Sequence, residues 1–521
     1  MSHNALAIEN LTLIAGGKTL LNGADLSAPQ GQLTLLVGLS GCGKSLTIRM
    51  GMGLLDPNDG TIEASGNVRV FGQESRAGLQ PTIGCVFQEF GLLDEWTTEE
   101  NIRFGLDHRA DVGELTADQR RTIVHDLLSE FGLAGDMPVF ALSRGMRQRC
   151  AIARSLAFNP EILFYDEPTS GLDPSRSAQV AERIREANTK HGKTSIVVTH
   201  DLESFIPVAD KIILLDAVRK EFRTITPESA REELNAQAQV DTDAKVPTAP
   251  RRSLVGSVAT VLEGVGHGIE TCGVAAWSLV QPWRNRRWSA SYLLWYLKLV
   301  AIGSALPYLA LAGFILGLVT TWFTFSFFPY KTYTEPILID RVIGATGFAL
   351  YRVMVPGLVA VLVAARNGAA IAADVGNRVW SGQFDAVRSF GVPPRAYFLK
   401  NIVWAQLAGM PLLIGVCFLF ARLAGLLVFA AIRPEHSTWF WAREFDHLLL
   451  GEGALYIGTG PLLWKSLASA FGVAVIAWFQ GTRPKRSGRD IATCVTRTII
   501  LATIFVLMVQ MIAAFMEFEP T

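Results

Sequence analysis

The sequence predicts an α/β domain followed by an all-α, polytopic membrane domain. Short apolar runs alternate with helical patterns up to about residue 235, and five long apolar stretches follow from about residue 299. Charge is also unevenly placed: residues 282–521 hold 21 Lys and Arg against 11 Asp and Glu, although the whole chain has 47 of each sign. A half that is both apolar and basic is typical of an integral membrane domain with cationic cytoplasmic loops.

The first part of the chain has the pattern of a parallel sheet with crossover helices. Apolar runs at residues 33–37, 162–165, 195–199 and 211–215 are the predicted strands. The predicted boundaries are 1–235 for the α/β domain, 236–252 for a small, polar, Pro-containing linker, 253–290 for an interfacial or elbow helix, and 291–521 for the membrane domain.

The cysteines predict neither a disulfide framework nor a zinc site. Six are scattered without a C-x-x-C pair, and Cys42, Cys85 and Cys150 lie in the half expected to be cytosolic and reduced. The first ten residues have no basic start and no apolar core, so we expect no signal peptide.

Five apolar spans each approach the roughly 20 residues that cross a bilayer. They lie at 299–327, 342–364, 401–431, 461–479 and 493–516. The loops 366–400 and 480–490 are basic, which places them on the cytoplasmic side together with the α/β domain. Five spans exclude a soluble ATPase that acts on nucleic acid.

A phosphate-binding loop follows the first predicted strand. Residues 38–45 read G-x-x-x-x-G-K-S, the P-loop pattern, in which backbone N–H groups cradle phosphates, Lys44 reaches the outer phosphates and the Ser45 hydroxyl can take Mg²⁺. The predicted nucleotide-binding residues of this loop are Gly38, Ser40, Gly41, Cys42, Gly43, Lys44, Ser45 and Leu46.

Two later strands end in residues suited to triphosphate hydrolysis. Asp166 ends one apolar run and places a carboxylate beside the metal ion, as in P-loop ATPases. Glu167 follows at once and is the candidate general base for the attacking water. His200 ends another run and is a candidate contact for the γ-phosphate, although a lone His is often structural.

These motifs resemble the ABC ATPase family over about residues 5–235. Residues 142–149 (LSRGMRQR) resemble the signature L-S-G-G-Q-x-Q-R, and three further segments resemble the Q-loop, D-loop and H-loop, namely Phe87-Gln88, Ser170–Asp173 and His200. The resemblance implies ATP and Mg²⁺ as ligands, catalytic roles for Glu167, His200 and Gln88, and metal contacts from Ser45, Gln88 and Asp166. It also implies that two such domains face head to tail, so that Ser143 and Gly145 act on the ATP of the other subunit, and that Asp173 of the D-loop is a nucleotide-binding residue.

Two departures from the family pattern leave questions open. Arg144 replaces the first signature glycine and Met146 replaces the glutamine, and their effect on domain closure is not fixed by the sequence. The adenine-stacking aromatic expected near residues 15–17 is not evident, which leaves the base selectivity open.

The membrane half resembles the MlaE-type permease, which works in bacterial lipid transport with MCE-domain proteins. The resemblance rests on residues 365–376, 383–386 and 391–395, and covers about residues 255–518. It implies a multi-pass protein of the bacterial cytoplasmic membrane with a phospholipid or another apolar lipid as cargo, and with a periplasmic MCE-domain partner.

The polar cytoplasmic loop 374–398 is expected to contact the ATPase domain through Gln383, Asp385 and Arg388, with an ordinary solvated loop as the alternative. Arg352 is expected in the middle of the second span, either facing lipid headgroups or bonding neighbouring carbonyls. In relatives an acidic residue follows this arginine, but here Val353 stands there, so no Arg–Glu pair is expected. Lys465 is a second candidate for the substrate path, with snorkelling to the interface as the alternative.

One chain carries one P-loop and one signature, so the sequence predicts a homodimer. The predicted function is ATP-driven lipid transport by a fused ATPase–permease. Two alternatives stay open: a half-size exporter of another hydrophobic substrate, and an ATP-driven mechanical or signalling module that moves no substrate. Transport direction and lipid identity are not determined by the sequence.

Overall fold

The computed structural model describes residues 4–39, 41–55, 62–74, 83–241, 254–283, 285–327, 331–450, 455–485 and 487–517. Two compact units are present. The first comprises residues 1–251 and 381–393, and the second comprises residues 252–380 and 394–521. The first unit is α/β and the second is helical, which confirms the predicted fold class.

The first unit contains two sheets. Their strands are β1 (Asn4–Ala15), β2 (Lys18–Pro29), β3 (Leu33–Val37), β4 (Ile62–Val70), β5 (Gln73–Glu74), β6 (Ile83–Val86), β7 (Ile162–Asp166), β8 (Thr194–Val198), β9 (Lys211–Asp216) and β10 (Glu221–Ile225). The larger sheet has the order β10-β9-β3-β8-β7-β6, and its neighbours are parallel except for β9 and β10. The four predicted strands are β3, β7, β8 and β9, and they lie side by side in this sheet.

The helices of the first unit connect and flank these strands. They are α1 (Lys44–Gly51), α2 (Thr98–Asp107), α3 (Ala117–Glu130), α4 (Arg144–Ala157), α5 (Pro174–His191), α6 (Leu202–Phe205), α7 (Pro227–Asp241) and, from the segment 381–393, α13 (Gln383–Ser389). All five residues of β3 and of β8 are buried, so the loops at the carboxyl ends of these strands start from a fixed core.

The smaller sheet is antiparallel, with the order β2-β1-β4-β5, and the sequence did not predict it. Register shifts interrupt the pairing of β1 with β2 and with β4, which breaks the alternation of apolar and polar residues that would have indicated strands. Leu6 and Leu13 of β1 nevertheless belong to the same apolar cluster as Phe164 of β7, so both sheets share one core.

The first residues of the predicted linker are helical. Helix α7 continues to Asp241, so residues 236–241 are helical, and residues 242–253 lie outside the described part of the chain. The Ala- and Gln-containing run 236–240 is compatible with a helix even though it is small and polar.

The helices of the second unit are α8 (Leu254–Val280), α9 (Arg286–Leu297), α10 (Ala305–Ser326), α11 (Lys331–Ala349), α12 (Val355–Trp380), α14 (Pro394–Tyr397), α15 (Leu399–Ile432), α16 (Thr438–His447), α17 (Thr459–Thr482) and α18 (Gly488–Glu517). Within the described residues, five helical segments are long and apolar enough to span a membrane, namely Arg286–Ser326, Leu338–Trp380, Pro394–Ile432, Thr459–Thr482 and Gly488–Glu517. Each contains one of the five predicted spans, apart from the terminal residue of the first.

A π-helical turn at Lys298–Ile302 separates α9 from α10. The α-helical hydrogen-bond pattern is interrupted there, and two side chains of α12 donate to carbonyl oxygens of this turn. Arg366 donates to the oxygen of Leu299 at 2.8 Å, and Asn367 donates to the oxygen of Val300 at 2.9 Å. The residue pair at the start of the permease-like motif therefore binds the π-helical turn that interrupts this segment.

Candidate active site

The P-loop joins β3 to α1 and is shaped by glycines. Gly41 and Gly43 have φ values of +78° and +112°, which only glycine adopts readily. Gly43 is also the N-cap of α1 and makes no side-chain cap, so the first N–H groups of that helix are available to an anion. The Lys44 ammonium donates to the carbonyl oxygens of Gly38 and Leu39, each at 2.8 Å. Ser40 lies outside the described residues.

Ser45 and Asp166 form the candidate metal site. The Ser45 hydroxyl donates to an oxygen of Asp166 at 3.1 Å. Burial raises the pKa of the Asp166 carboxyl, because the charged form loses hydration. A hydroxyl and a carboxylate are the hard oxygen donors that Mg²⁺ prefers, so these residues fit the predicted ion, which would also neutralise the buried charge.

Glu167 turns away from the end of β7 in a left-handed conformation, with φ +49°. Its N–H donates to the oxygen of Val198 at 2.8 Å, and its carboxylate lies 2.8 Å from Nδ1 of His200. The Glu167 side chain is only 12% exposed, whereas that of His200 is 66% exposed. A non-glycine residue held at positive φ is characteristic of a functional site, because the surrounding structure must offset the strain.

One cavity of about 540 Å³ brings the three predicted catalytic residues together with five residues of the P-loop. Its lining comprises Gly41, Gly43, Lys44, Ser45, Leu46, Gln88, Glu167 and His200 from the sequence prediction, and Ala15, Lys18, Leu20 and Ser170 in addition. Cys42 is buried behind the loop, and burial raises the pKa of its thiol. The additional residues come mainly from the antiparallel sheet that sequence analysis missed.

The signature residues line a different cavity, of about 390 Å³. Ser143 is the N-cap of α4, and its hydroxyl accepts from the N–H of Met146 at 3.3 Å. Gly145 lies in the exposed first turn of α4. The Arg144 guanidinium lies 5.6 Å from the centre of the Phe90 ring. Asp173 caps α5 by accepting from the N–H of Arg176 at 3.1 Å. Within a single chain, the signature and the P-loop therefore face separate cavities.

The segment 381–393 groups with the α/β unit and is fastened to it by polar contacts. Arg49 of α1 donates to Asp385 at 2.8 Å, and Gln383 donates to Asp94 at 3.0 Å. Arg49 lies on α1, which begins with Lys44, so this contact connects Asp385 to the helix that follows the P-loop. Among the described residues, the Arg388 side chain forms no hydrogen bond or ion pair, unlike its two predicted companions.

The apolar anchor of this segment is Phe390, which sequence analysis did not single out. Its ring lies 5.1 Å from that of Phe158 and 5.9 Å from that of Phe104, edge-on in both cases, and Phe390 is only 4% exposed. Arg154 holds the facing loop by donating to the oxygens of Phe90 and Gly91. A Cβ added at Gly91 would lie 2.6 Å from the Cβ of Ala386, so the segment packs directly on this glycine.

In the helical unit, Arg352 pairs with a glutamate, contrary to the sequence expectation. Its Nε donates to Glu517 at 2.6 Å, and Lys465 donates to the other oxygen of Glu517 at 3.1 Å and to the Arg352 carbonyl at 2.6 Å. The Lys465 side chain is 5% exposed, so it does not snorkel. Arg352 lies near the start of α17 and the end of α18, since Lys465 of α17 and Glu517 of α18 both contact it.

Comparisons with known proteins match both units. Residues 21–170 match the family model for ABC transporters, and residues 297–516 match the model for the permease MlaE. A protein of Brucella abortus described as an ATP-binding protein is 33% identical over 214 residues, which are 41% of this chain and 78% of that protein. The methionine import ATP-binding protein MetN of Caulobacter vibrioides is 34% identical over 235 residues, which are 44% of this chain and 68% of MetN.

Two solved structures are similar to the first unit. The structure of cbiO1 from Clostridium perfringens, part of an ABC transporter complex, shares 25% identity and covers 46% of this chain and 96% of cbiO1, with a TM-score of 0.39. A dimeric, post-hydrolysis ATP-binding cassette bound to ADP and Pi shares 28% identity and covers 43% of this chain and 98% of its own, with a TM-score of 0.37.

Proposed function

Because this chain belongs to the ABC transporter family and fuses an ABC ATPase domain to an MlaE-type permease domain, we propose that it transports lipid. It is an ATP-hydrolysing, multi-pass membrane transporter. The proposed cargo is a phospholipid, and the proposed location is the bacterial cytoplasmic membrane with the ATPase in the cytosol. A periplasmic MCE-domain protein is the proposed partner.

One observation supports the coupling of hydrolysis to transport. The segment 381–393 connects the second predicted span to the third, yet its side chains pack into the ATPase unit through Asp385, Gln383 and Phe390. A movement of α1 or of the loop at Gly91 is therefore transmitted to a segment that is covalently continuous with two spans. Such an element suits rigid-body coupling.

The proposed chemistry uses the residues of the 540 Å³ cavity. Ser45, Asp166 and Gln88 would hold Mg²⁺, which neutralises charge on the outer phosphates. Glu167 orients a water and accepts its proton as the water oxygen bonds to the γ-phosphorus and the bond to the bridging oxygen breaks, leaving ADP and inorganic phosphate. His200 donates through Nδ1 to Glu167 and holds its carboxylate in place. A positioned general base of this kind contributes about 10²- to 10⁴-fold in rate.

The two separate cavities support a homodimer. Ser143 and Gly145 line the signature cavity, and neither these two residues nor Asp173 line the P-loop cavity of their own chain. Two copies arranged head to tail would bring each signature against the triphosphate held by the other copy. Each ATP-binding site would then be completed by the N-terminal end of α4 of the other copy.

The helical unit suits an apolar cargo with a charged end. Its five candidate spans are long and apolar enough to cross a membrane. Arg352 and Lys465 share Glu517 and carry one net positive charge between the three side chains. We propose these two cations as candidates for headgroup contact, with the carboxylate as their partner when no lipid is bound.

Reconstitution tests the proposal. The full chain is placed in vesicles that contain a headgroup-labelled phospholipid, with and without an MCE-domain acceptor, and label movement is followed after ATP addition. We expect ATP-dependent movement by the wild type and none by E167Q, which still binds ATP. Hydrolysis without label movement under both conditions would contradict lipid transport, and brisk hydrolysis by E167Q would contradict the role of Glu167.

A further inference from the structure

The cavity of about 390 Å³ between α4 and α5 is strongly basic. Helix α4 contributes Arg144 and Arg149 to its lining, and α5 contributes Arg176 and Arg183. Among the described residues that line the cavity there is no Asp or Glu. We call this cavity with its four arginines the arginine groove. Its charge makes it a candidate site for an anion.

Three of the four arginines have no acidic partner. The Arg176 guanidinium lies 3.3 Å from a carboxylate oxygen of Asp173. In the part of the chain that the structure describes, Arg144, Arg149 and Arg183 form no ion pair and donate no side-chain hydrogen bond. The Nε atom of Arg149 is buried without an acceptor among these residues. Buried donors are normally hydrogen-bonded, so this nitrogen points to a ligand that supplies the acceptor.

The charges of the arginine groove repel each other. Burial lowers the pKa of the Arg149 guanidinium, and the positive charge of Arg183 lowers it further. Helices α4 and α5 both begin beside the groove, and their N-terminal ends add partial positive charge. Ile152, Leu172 and Val180 also line the groove, and apolar side chains that displace water strengthen the attraction between an anion and the arginines.

The spacing of the arginines favours an extended anion. Arg176 and Arg183 are two turns apart on α5, which corresponds to about 10 Å along the helix axis. Arg144 and Arg149 are separated by about 7.5 Å along the axis of α4. A single phosphate group is too short to contact guanidinium groups over this length, whereas two or three linked phosphate groups are long enough. Each guanidinium can bind a phosphate with two parallel hydrogen bonds.

We propose that the arginine groove binds a small anion with two or more linked phosphate groups. Pyrophosphate is the simplest ligand of this class. The site is separate from the P-loop cavity, since none of the four arginines lines that cavity. Its binding energy comes mainly from Arg149 and Arg183, which lie on facing helices and have no carboxylate to neutralise them. The binding depends neither on lipid transport nor on the formation of a homodimer.

Equilibrium binding of radiolabelled pyrophosphate to the full chain in detergent tests this proposal. Every protein carries K44A, which removes the P-loop ammonium, and EDTA removes divalent cations. R149Q and R183Q should each raise the Kd at least about tenfold, because hydrogen bonds between charged groups contribute that much. R121Q is the control, since the Arg121 side chain on α3 is 76% exposed and does not line the groove, and it should leave the Kd unchanged.

ATP is measured in the same way, because its triphosphate has the same chemistry as pyrophosphate. If R149Q and R183Q weaken the binding of both ligands, the groove accepts the triphosphate of a nucleotide. If they weaken only the binding of pyrophosphate, its ligand is a free polyphosphate. Each result would support the site.

A different result would overturn the proposal. It is wrong if pyrophosphate does not bind, or if R149Q and R183Q both bind it as tightly as R121Q does. Each substitution removes a repulsive charge, and the Arg183 side chain is exposed, so we expect both variants to fold. Their thermal unfolding temperatures check this expectation. The outcome is independent of the proposed function, which the vesicle assay with labelled phospholipid tests separately.

Discussion

At the scale of single residues, Asp166 links the metal site to pH. Burial raises the pKa of this carboxyl, so its charged form is lost at a higher pH than for an exposed aspartate as the solution is acidified. The protonated form cannot ligate a cation. The rate of hydrolysis should therefore decrease as the pH is lowered through this raised pKa. Because Mg²⁺ and the proton compete for the carboxylate, about tenfold more Mg²⁺ should move this decrease to a lower pH. An acid limb that does not respond to Mg²⁺ would contradict this role.

Glu517 is the acidic partner of two basic side chains in the helical unit. Its side chain is 2% exposed and contacts both Arg352 and Lys465. E517Q removes the carboxylate that Arg352 and Lys465 both contact, and removing one partner of a buried ion pair costs about 3–5 kcal/mol. We expect E517Q to lower the thermal unfolding temperature of the full chain in detergent. E435Q removes a carboxylate that is 57% exposed and should change the unfolding temperature little. Equal unfolding temperatures for E517Q and E435Q would contradict this role of Glu517.

At the scale of elements, the segment 381–393 is fastened by an aromatic anchor as well as by charge. F390A removes the ring that packs against Phe104 and Phe158, and a buried Phe→Ala change costs about 3–5 kcal/mol. We expect the lipid moved per ATP to fall steeply while ATP binding persists. R388A changes a side chain of the same segment that forms no ion pair, and it serves as the control. Equal coupling in the two variants would contradict the anchor role.

Sequence patterns predicted the elements whose chemistry is local. The P-loop, the Asp166–Glu167 pair and the four parallel strands are each short runs in which residue type and spacing carry the signal. The partners of Phe390 and of Glu517 were not predictable in this way. Phe104 and Phe158 lie far away in the chain from Phe390, and Arg352 is 165 residues from Glu517, so that only the folded structure brings them together. Ala15, Lys18 and Leu20 of the P-loop cavity were missed together with the irregular antiparallel sheet that carries them.

At the scale of the whole molecule, the separate P-loop and signature cavities predict that two copies share their sites. K44A homodimers and S143R homodimers should each be nearly inactive. In a mixed dimer one site carries both changes and the other carries neither, so an equal mixture should regain about a quarter of wild-type hydrolysis when the sites act independently. A mixture as inactive as its components, or a lone wild-type protomer hydrolysing at full rate, would contradict the shared site.

We propose that the ATPase drives the spans through the contact of Arg49 with Asp385. Its most direct test is the amount of lipid moved per ATP hydrolysed by R49D, D385R and the double variant in vesicles. Each single reversal sets like charges against each other and should lower this ratio at least about tenfold, whereas the double variant restores opposite charges and should recover most of it. A wild-type ratio in either single variant, or no recovery in the double variant, would contradict the claim.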